Sequence, residues 1–183
     1  MPALPVVTQG AGRFFMAIKH KFTSAKDDGG DATLVRPSNW NDDHEGLETV
    51  LKSADESVNN SETLQNDDEL LLAIGANEKW EVTFYILAIS ATTTPDLRVA
   101  ITAPSGATGA ISLFYDVGTD GELLGGTVTG IALVASLRLI VISAVVVNSS
   151  NAGNIQLQWA QSTATAENTT VKAGSCLIAH KLN

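Results

Sequence analysis

From about residue 56 onward, apolar positions recur at every second residue in short runs broken by Gly, Pro, Asn, Ser and Thr. In "KWEVTFYILAIS", Trp80, Val82, Phe84, Ile86 and Ala88 fall on one side. Leu97, Val99 and Ile101 alternate with Arg98 and Thr102, and Ile111, Leu113, Tyr115 and Val117 follow. Ile155, Leu157 and Trp159 alternate with Gln156 and Gln158. A period of two sends successive side chains to opposite faces of an extended chain, so each run predicts a strand. "ETLQNDDELLLAIG", two strands within 127–147 and a closing "CLIAHKL" bring the total to about eight. "GTDG" at 118–121 reads as a turn between them. The spacing predicts an all-β fold, an antiparallel β-sandwich of the jelly-roll kind.

Two of these runs are apolar on both sides. Tyr85, Leu87 and Ile89 occupy the second face of the 80–89 run, where a solitary sandwich would carry polar residues. "LRLIVISAVVV", 137–147, interrupts its apolar residues only with Arg138 and Ser143, so Leu139, Val141 and Val145 join the same surplus. From Gly125 to Asn183 only Arg138, Glu167, Lys172 and Lys181 carry a formal charge. Strands apolar on both faces need a cover on each. No stretch of amphipathic helix is left to supply it, so the expected cover is another copy of the chain, packed sheet against sheet. A trimer is the usual arrangement for jelly rolls of this size.

Residues 1–55 differ in texture. They hold most of the Lys and Asp, two early prolines and the cluster "KDDGGD", without a sustained strand pattern. Within "TLVRPSNWNDDHEGLETVL", Pro37 pushes Arg36 towards extended backbone. Ser38 or Asn39 can then cap a helix, with Asp42, Asp43 and Glu45 suiting its first turns. Trp40, His44, Leu47, Leu51 and Ala54 follow at spacings of four, three, four and three, one face of a short helix. Gly46 weakens that helix. The division expected is an N-terminal attachment arm with one short helix over 1–55, and a jelly roll over 56–183.

The charge narrows the function. Twenty acidic against eleven basic residues give a formal charge of −9, unsuited to replacing the counterions of nucleic acid or to binding an anionic membrane surface. The apolar run 131–147 contains Arg138 and is too short to span a bilayer. The N-terminus has neither the basic start nor the unbroken apolar run of a secretory signal. Cys176, the one cysteine, excludes an intrachain disulfide and reads as a buried neutral thiol.

No constellation for catalysis or cofactor binding stands out. "DDGGD" lacks the ligand ladder and closing Glu of a calcium loop and reads as a solvated turn. His20, His44 and His180 lack zinc-ligand spacing. Asp42-Asp43 could be paired acids, but a helix start explains them without chemistry. "GELLGG" lacks the Lys-Ser/Thr of a phosphate loop, and Ser105 in "APSGATG" lacks nucleophile-elbow spacing. The expectation is a protein that is not an enzyme and takes no metal or cofactor.

"DGGDATLVRPSNWNDDH" resembles a recurrent N-terminal segment of tailed-bacteriophage virion proteins, of the form Asp-Gly-x-Asp-x-Thr-x-Val-Arg-Pro-Ser-x-Trp-Asn-x-x-His. "SADESVNNSETLQNDDELLLAIGANEKWEVTFYI" and "LQWAQSTATAENTTVKAGSCLIAHKLN" resemble a β-sandwich module of phage structural proteins. Together these stretches cover about half the chain. The resemblance implies a protein of the particle exterior, with an arm that docks and a jelly roll that trimerises, made in the host cytoplasm during assembly. By position, Asp31, Thr33, Val35, Arg36, Pro37, Ser38, Trp40, Asn41 and His44 match the arm motif and would serve attachment or assembly. Leu34 departs from the more polar residue usual there. Phe14 and Phe15 fit either an anchor on a partner or an ordinary core role.

Two structural roles follow. The first is a capsid decoration, or cement, protein whose arm spans subunits of the major capsid protein or another virion protein. The second is a tail-tip or short tail-fibre protein that meets a host receptor through loops such as 91–96, 103–109 or 148–154. An enzyme acting on host polysaccharide is the least favoured, because it would need paired carboxylates or a long solenoid surface.

Overall fold

The computed structural model describes residues 24–30, 36–38, 47–115, 118–133 and 135–182. Twelve strands are present among them: β1 (Leu47–Leu51), β2 (Glu56–Val58), β3 (Gln65–Ile74), β4 (Lys79–Ser90), β5 (Leu97–Thr102), β6 (Thr108–Tyr115), β7 (Gly118–Leu123), β8 (Thr127–Ile131), β9 (Arg138–Val147), β10 (Gly153–Gln161), β11 (Thr169–Val171) and β12 (Cys176–Lys181). Every pairing is antiparallel. The larger sheet runs β1-β12-β4-β9-β6-β7, with β11 against β4 and β2 against β11; the smaller runs β3-β10-β5-β8. The quartets β1-β12-β4-β9 and β3-β10-β5-β8 are the two layers of a jelly roll, the chain crossing between them at β3–β4 and β4–β5. To this frame the chain adds the β6–β7 hairpin and the short β2–β11 pair.

The core lies between the layers. Val82, Phe84, Ile86, Ile140, Ile142, Val146 and Leu177 of the larger sheet meet Leu70, Leu72, Val99, Ile101, Ile155, Leu157 and Trp159 of the smaller, all buried. The predicted period-two runs supply these residues, so the all-β sandwich agrees with the expectation. The β3–β4 turn explains itself locally. Asn77 adopts a left-handed φ of 61°, and Glu78 accepts the amide N–H of Gly75 at 2.7 Å to close the loop.

Three expectations are corrected. The short helix does not continue through Leu47, Leu51 and Ala54: residues 47–51 form β1, paired with β12 from Leu47↔His180 to Leu51↔Cys176. Leu47 and Leu51 are four apart, which places them on one side of a strand as well as of a helix. Val50, between them, points into the core. β1 thus joins the edge of the larger sheet ahead of β2. "GTDG" is not a turn but the start of β7, which pairs with β6 from Tyr115↔Gly118 onward. The about eight strands expected become twelve because β1, β2, β7 and β11 were not anticipated.

Beyond β1 the chain is held by side chains instead of helix. Buried Lys52 donates its ammonium to Glu56 at 2.8 Å and to Asp67 at 2.9 Å. Ser53 and Ala54 donate their amides to Glu69. Asp67 and Glu69 belong to the 67–70 segment of β3, where the register with β10 slips between Leu71↔Gln156 and Asn66↔Gln158. Asp67 satisfies the freed backbone there by accepting the N–H groups of Glu69 and Leu70.

Candidate functional site: the outer face of the large sheet

The registers of the larger sheet line up a row across five strands. Leu51 pairs with Cys176, Cys176 with Tyr85, Tyr85 with Val141, and Val141 with Phe114. All five alternate with buried residues and so lie on the face turned away from the core. One step along, Leu87 pairs with Leu139. One step the other way, Thr49, Ile178, Thr83, Ser143 and Ser112 form a second row, and beyond it Leu47, His180, Glu81, Val145 and Ala110 a third.

This face is apolar and open. Leu139 is 51% exposed, Val145 50%, Phe114 48%, Leu51 43%, Ile178 39% and Tyr85 37%. Of the expected interface residues, Tyr85, Leu139 and Val145 are exposed, while Leu87, Ile89 and Val141 are half-buried on the same side. The register brings all six together. Among the described outer-face residues Glu81 and Lys79 sit towards the end where β4 begins, and Lys172, paired with Asp55, lies beside Leu87 at the edge where β11 ends. The hydroxyls of Thr83 and Ser143 lie 3.3 Å apart and satisfy one another across β4 and β9.

Phe114, Ile178 and Leu51 were not anticipated on this face. Phe114 carried a signal, since it stands out of phase with Ile111 and Leu113. Cys176, expected in the core, is half-exposed between Leu51 and Tyr85 on this face, and its partial burial raises the thiol pKa.

Of the arm motif, Asp31, Thr33, Val35, Trp40, Asn41 and His44 lie outside the described residues, as do Phe14 and Phe15. Arg36 and Pro37 are half-buried and Ser38 is exposed, with Pro37 and Ser38 helical. Ser38 donates both its backbone N–H and its hydroxyl to the carboxylate of Asp28. Those two bonds hold the Asp28 carboxyl below its ordinary pKa, with the positive charge of Arg36 adding a little. The Asp-Gly cluster is thereby tied to the Arg-Pro-Ser segment, with Gly29 at a φ of 66° between them.

The loops proposed for a receptor divide between the two ends. Ser149 and Asn151 donate their side chains to the carbonyl of Ser105 at 2.8 and 2.9 Å, uniting 103–109 with 148–154. Loop 91–96 lies at the other end, where Pro95 accepts the amides of Ser162 and Thr163.

The densest set of ionisable groups is the Lys52–Glu56–Asp67 cluster, which the sequence did not announce. Asp67 also accepts the indole N–H of Trp159 at 3.2 Å, and Glu56 accepts the side-chain amide of Gln65 at 2.9 Å. Burial alone would lower the Lys52 pKa; the hydrogen bonds and charges of Glu56 and Asp67 outweigh it and leave that pKa raised. With every member bonded inside the fold, the cluster joins the two sheets. Among the described residues no three His, Cys, Asp or Glu side chains group to hold a metal ion, and no helix is long and apolar enough to cross a membrane.

No protein-family model matches this sequence, and no curated protein does. Among solved structures, the chain is similar to one from the tripod (BppUct-A-L) of the baseplate of bacteriophage Tuc2009. That likeness has a TM-score of 0.30 and 11% identity, covering 96% of this chain and 83% of that one. A second is to a chain of infectious bursal disease virus, Gt strain, at a TM-score of 0.17 and 10% identity, covering 97% of this chain and 49% of that one. Neither score marks a shared overall fold.

Proposed function

We propose that this protein is a non-enzymatic structural component of a tailed-phage particle, a capsid decoration protein on the head exterior that binds as a trimer and is moored by its N-terminal segment. The observation that carries this reading is the motif "DGGDATLVRPSNWNDDH", which resembles the attachment segment of phage virion proteins and stands directly before the first strand of a jelly roll. The largely apolar outer face of the larger sheet supports it, since a protein built to be covered by neighbours exposes such a surface. Cementing follows from mass action: a protein that binds only the assembled lattice stabilises it by RT ln(1 + [L]/Kd) at each site. Major capsid protein or another virion protein is the partner, with no direct contact to nucleic acid or membrane.

A second reading, a tail-tip or short-fibre protein, is favoured by one feature. Loops 103–109 and 148–154 are locked by hydrogen bonds into one surface at one end of the sandwich, where a receptor could bind. Electron microscopy of particles labelled against the protein decides between them. Decoration places many copies over the head. Labels confined to the tail end replace the first reading with the second, and unlabelled particles reject both.

A further inference from the structure

We infer that copies of this chain bind one another through the outer face of the larger sheet, centred on the row Leu51–Cys176–Tyr85–Val141–Phe114. The inference gives the trimer of the proposed function its surface, and it stands or falls apart from what the particle is.

Three observations point to another copy as the occupant. The first is area. Leu47, Leu51, Tyr85, Phe114, Leu139, Val145, Val147 and Ile178 are each 37–51% exposed on one face. Together they leave on the order of 600 Å² of surface open, at the top of what a monomer leaves bare. That is most of the roughly 800 Å² each partner brings to a stable interface.

The second is charge. The central row itself carries no acidic or basic side chain, and beside Leu87 the one pair of opposite charges, Lys172 and Asp55, is already matched within the chain. A partner rich in charge would have nothing to pair with there, whereas an identical face would bury no unpaired ion. The third is polar satisfaction. The Thr83 and Ser143 hydroxyls already bond to each other, so closing a second sheet over them leaves both with a partner. Apolar sheets pack face to face about 10 Å apart, with side chains interdigitating, and this face offers branched and aromatic side chains for such a contact.

Cys176 provides the probe, because it is the one thiol in the chain and lies in the central row, half-exposed. The test uses the full chain. Light scattering and sedimentation across the micromolar range are expected to show association of the wild type into a closed species, a dimer where two faces close on each other and a trimer where three gather about one axis. Alkylation of Cys176 by a maleimide should slow about tenfold from the dilute to the associated sample, as expected for a group buried at the centre of an interface. Phe114→Glu and Leu139→Lys should each raise the midpoint of association at least about tenfold and restore alkylation. Their far-ultraviolet circular dichroism should remain that of the wild type.

A wild type that stays monomeric throughout would give the face to some other partner and overturn the inference. Association unchanged in both variants, with Cys176 still freely alkylated, would overturn it too. A wild type that assembles through this face yet binds no particle would reject the phage role and leave the interface standing.

Discussion

Lys52 and Asp67 meet at 2.9 Å with neither side chain open to water. Fifteen residues apart in sequence, they join the chain just beyond β1 in the larger sheet to the interrupted stretch of β3 in the smaller. Lys52 is also fixed through its backbone, donating to Ser175 and accepting from Gly174. Replacing it by methionine would leave Asp67 buried and Glu56 nearly so, both without their cation. Removing one partner of a buried ion pair costs about 3–5 kcal/mol. Lys52→Met is therefore expected to lower the denaturant midpoint sharply with little change in m. A midpoint within error of the wild type would mean that water, not lysine, satisfies the two carboxylates.

The ion pairs also set a pH window. Lys181 holds Glu78 below its ordinary pKa against the opposing effect of burial, with help from the N–H groups of Gly75 and Trp80. Asp55 is lowered by Lys172 and by the amide of Ala173. A carboxylate with a depressed folded pKa contributes stability that is present above its unfolded value, about 4, and is lost as pH falls through the folded value. Lys52 has the opposite sign: its raised folded pKa contributes stability that is present below the unfolded value, about 10.4, and is lost as pH rises through the folded one. Stability should form a plateau from about pH 5 to about 10, falling on both sides. Urea midpoints across that range test the shape. Glu78→Gln should flatten the acid limb and leave the alkaline limb unchanged.

Gly109 tests the pairing that places Phe114 on the outer face. A methyl group there would lie 2.0 Å from the carbonyl oxygen of Val145, a backbone atom that cannot step aside. Gly109→Ala should force β6 away from β9 at a cost of about 1–3 kcal/mol. Gly153→Ala is the comparison. Its methyl would meet the Cγ of Pro104 at 3.1 Å, and a ring edge can yield by a few tenths of an ångström. The first variant should melt well below the second; equal melting temperatures would mean that β6 can shift freely.

Much of the sandwich could be read from the chain because β4, β5, β6 and β10 place apolar residues at every second position, and the apolar runs of β3, β9 and β12 stand out beside them. The strands that escaped share a physical cause: none carries a local apolar period, so each is specified by the strand it pairs with. β2 and β11 have three residues each, too few to show a period. β7 begins Gly-Thr-Asp-Gly, which looks like a turn until β6 supplies its hydrogen bonds. The outer face was legible where a single strand was apolar on both sides, as at Tyr85 and Leu139. Ile178 and Leu51 belong to it only through register with β4 and β12, which no local pattern reports. The Lys52–Asp67 pair left no trace either, since a lysine among Leu, Ser and Asp reads as a surface residue.

The entry into β1 separates attachment from folding. Leu47 pairs with His180 at the start of the sandwich, and Val50 packs in the core at 2% exposure. Removing residues 1–45 spares both, so the shortened chain should keep the wild-type circular dichroism, melting temperature and self-association while losing its affinity for particles. Removing residues 1–55 also takes away β1, Val50 and Lys52, uncovering the edge of β12 and leaving Asp67 buried without its cation. That chain should fail to fold or melt far lower. Co-sedimentation with particles stripped of the protein reads the first effect and calorimetry the second. Undiminished binding by the chain lacking 1–45 would take the Arg36-Pro37-Ser38 segment out of attachment and transfer that role to the sandwich itself.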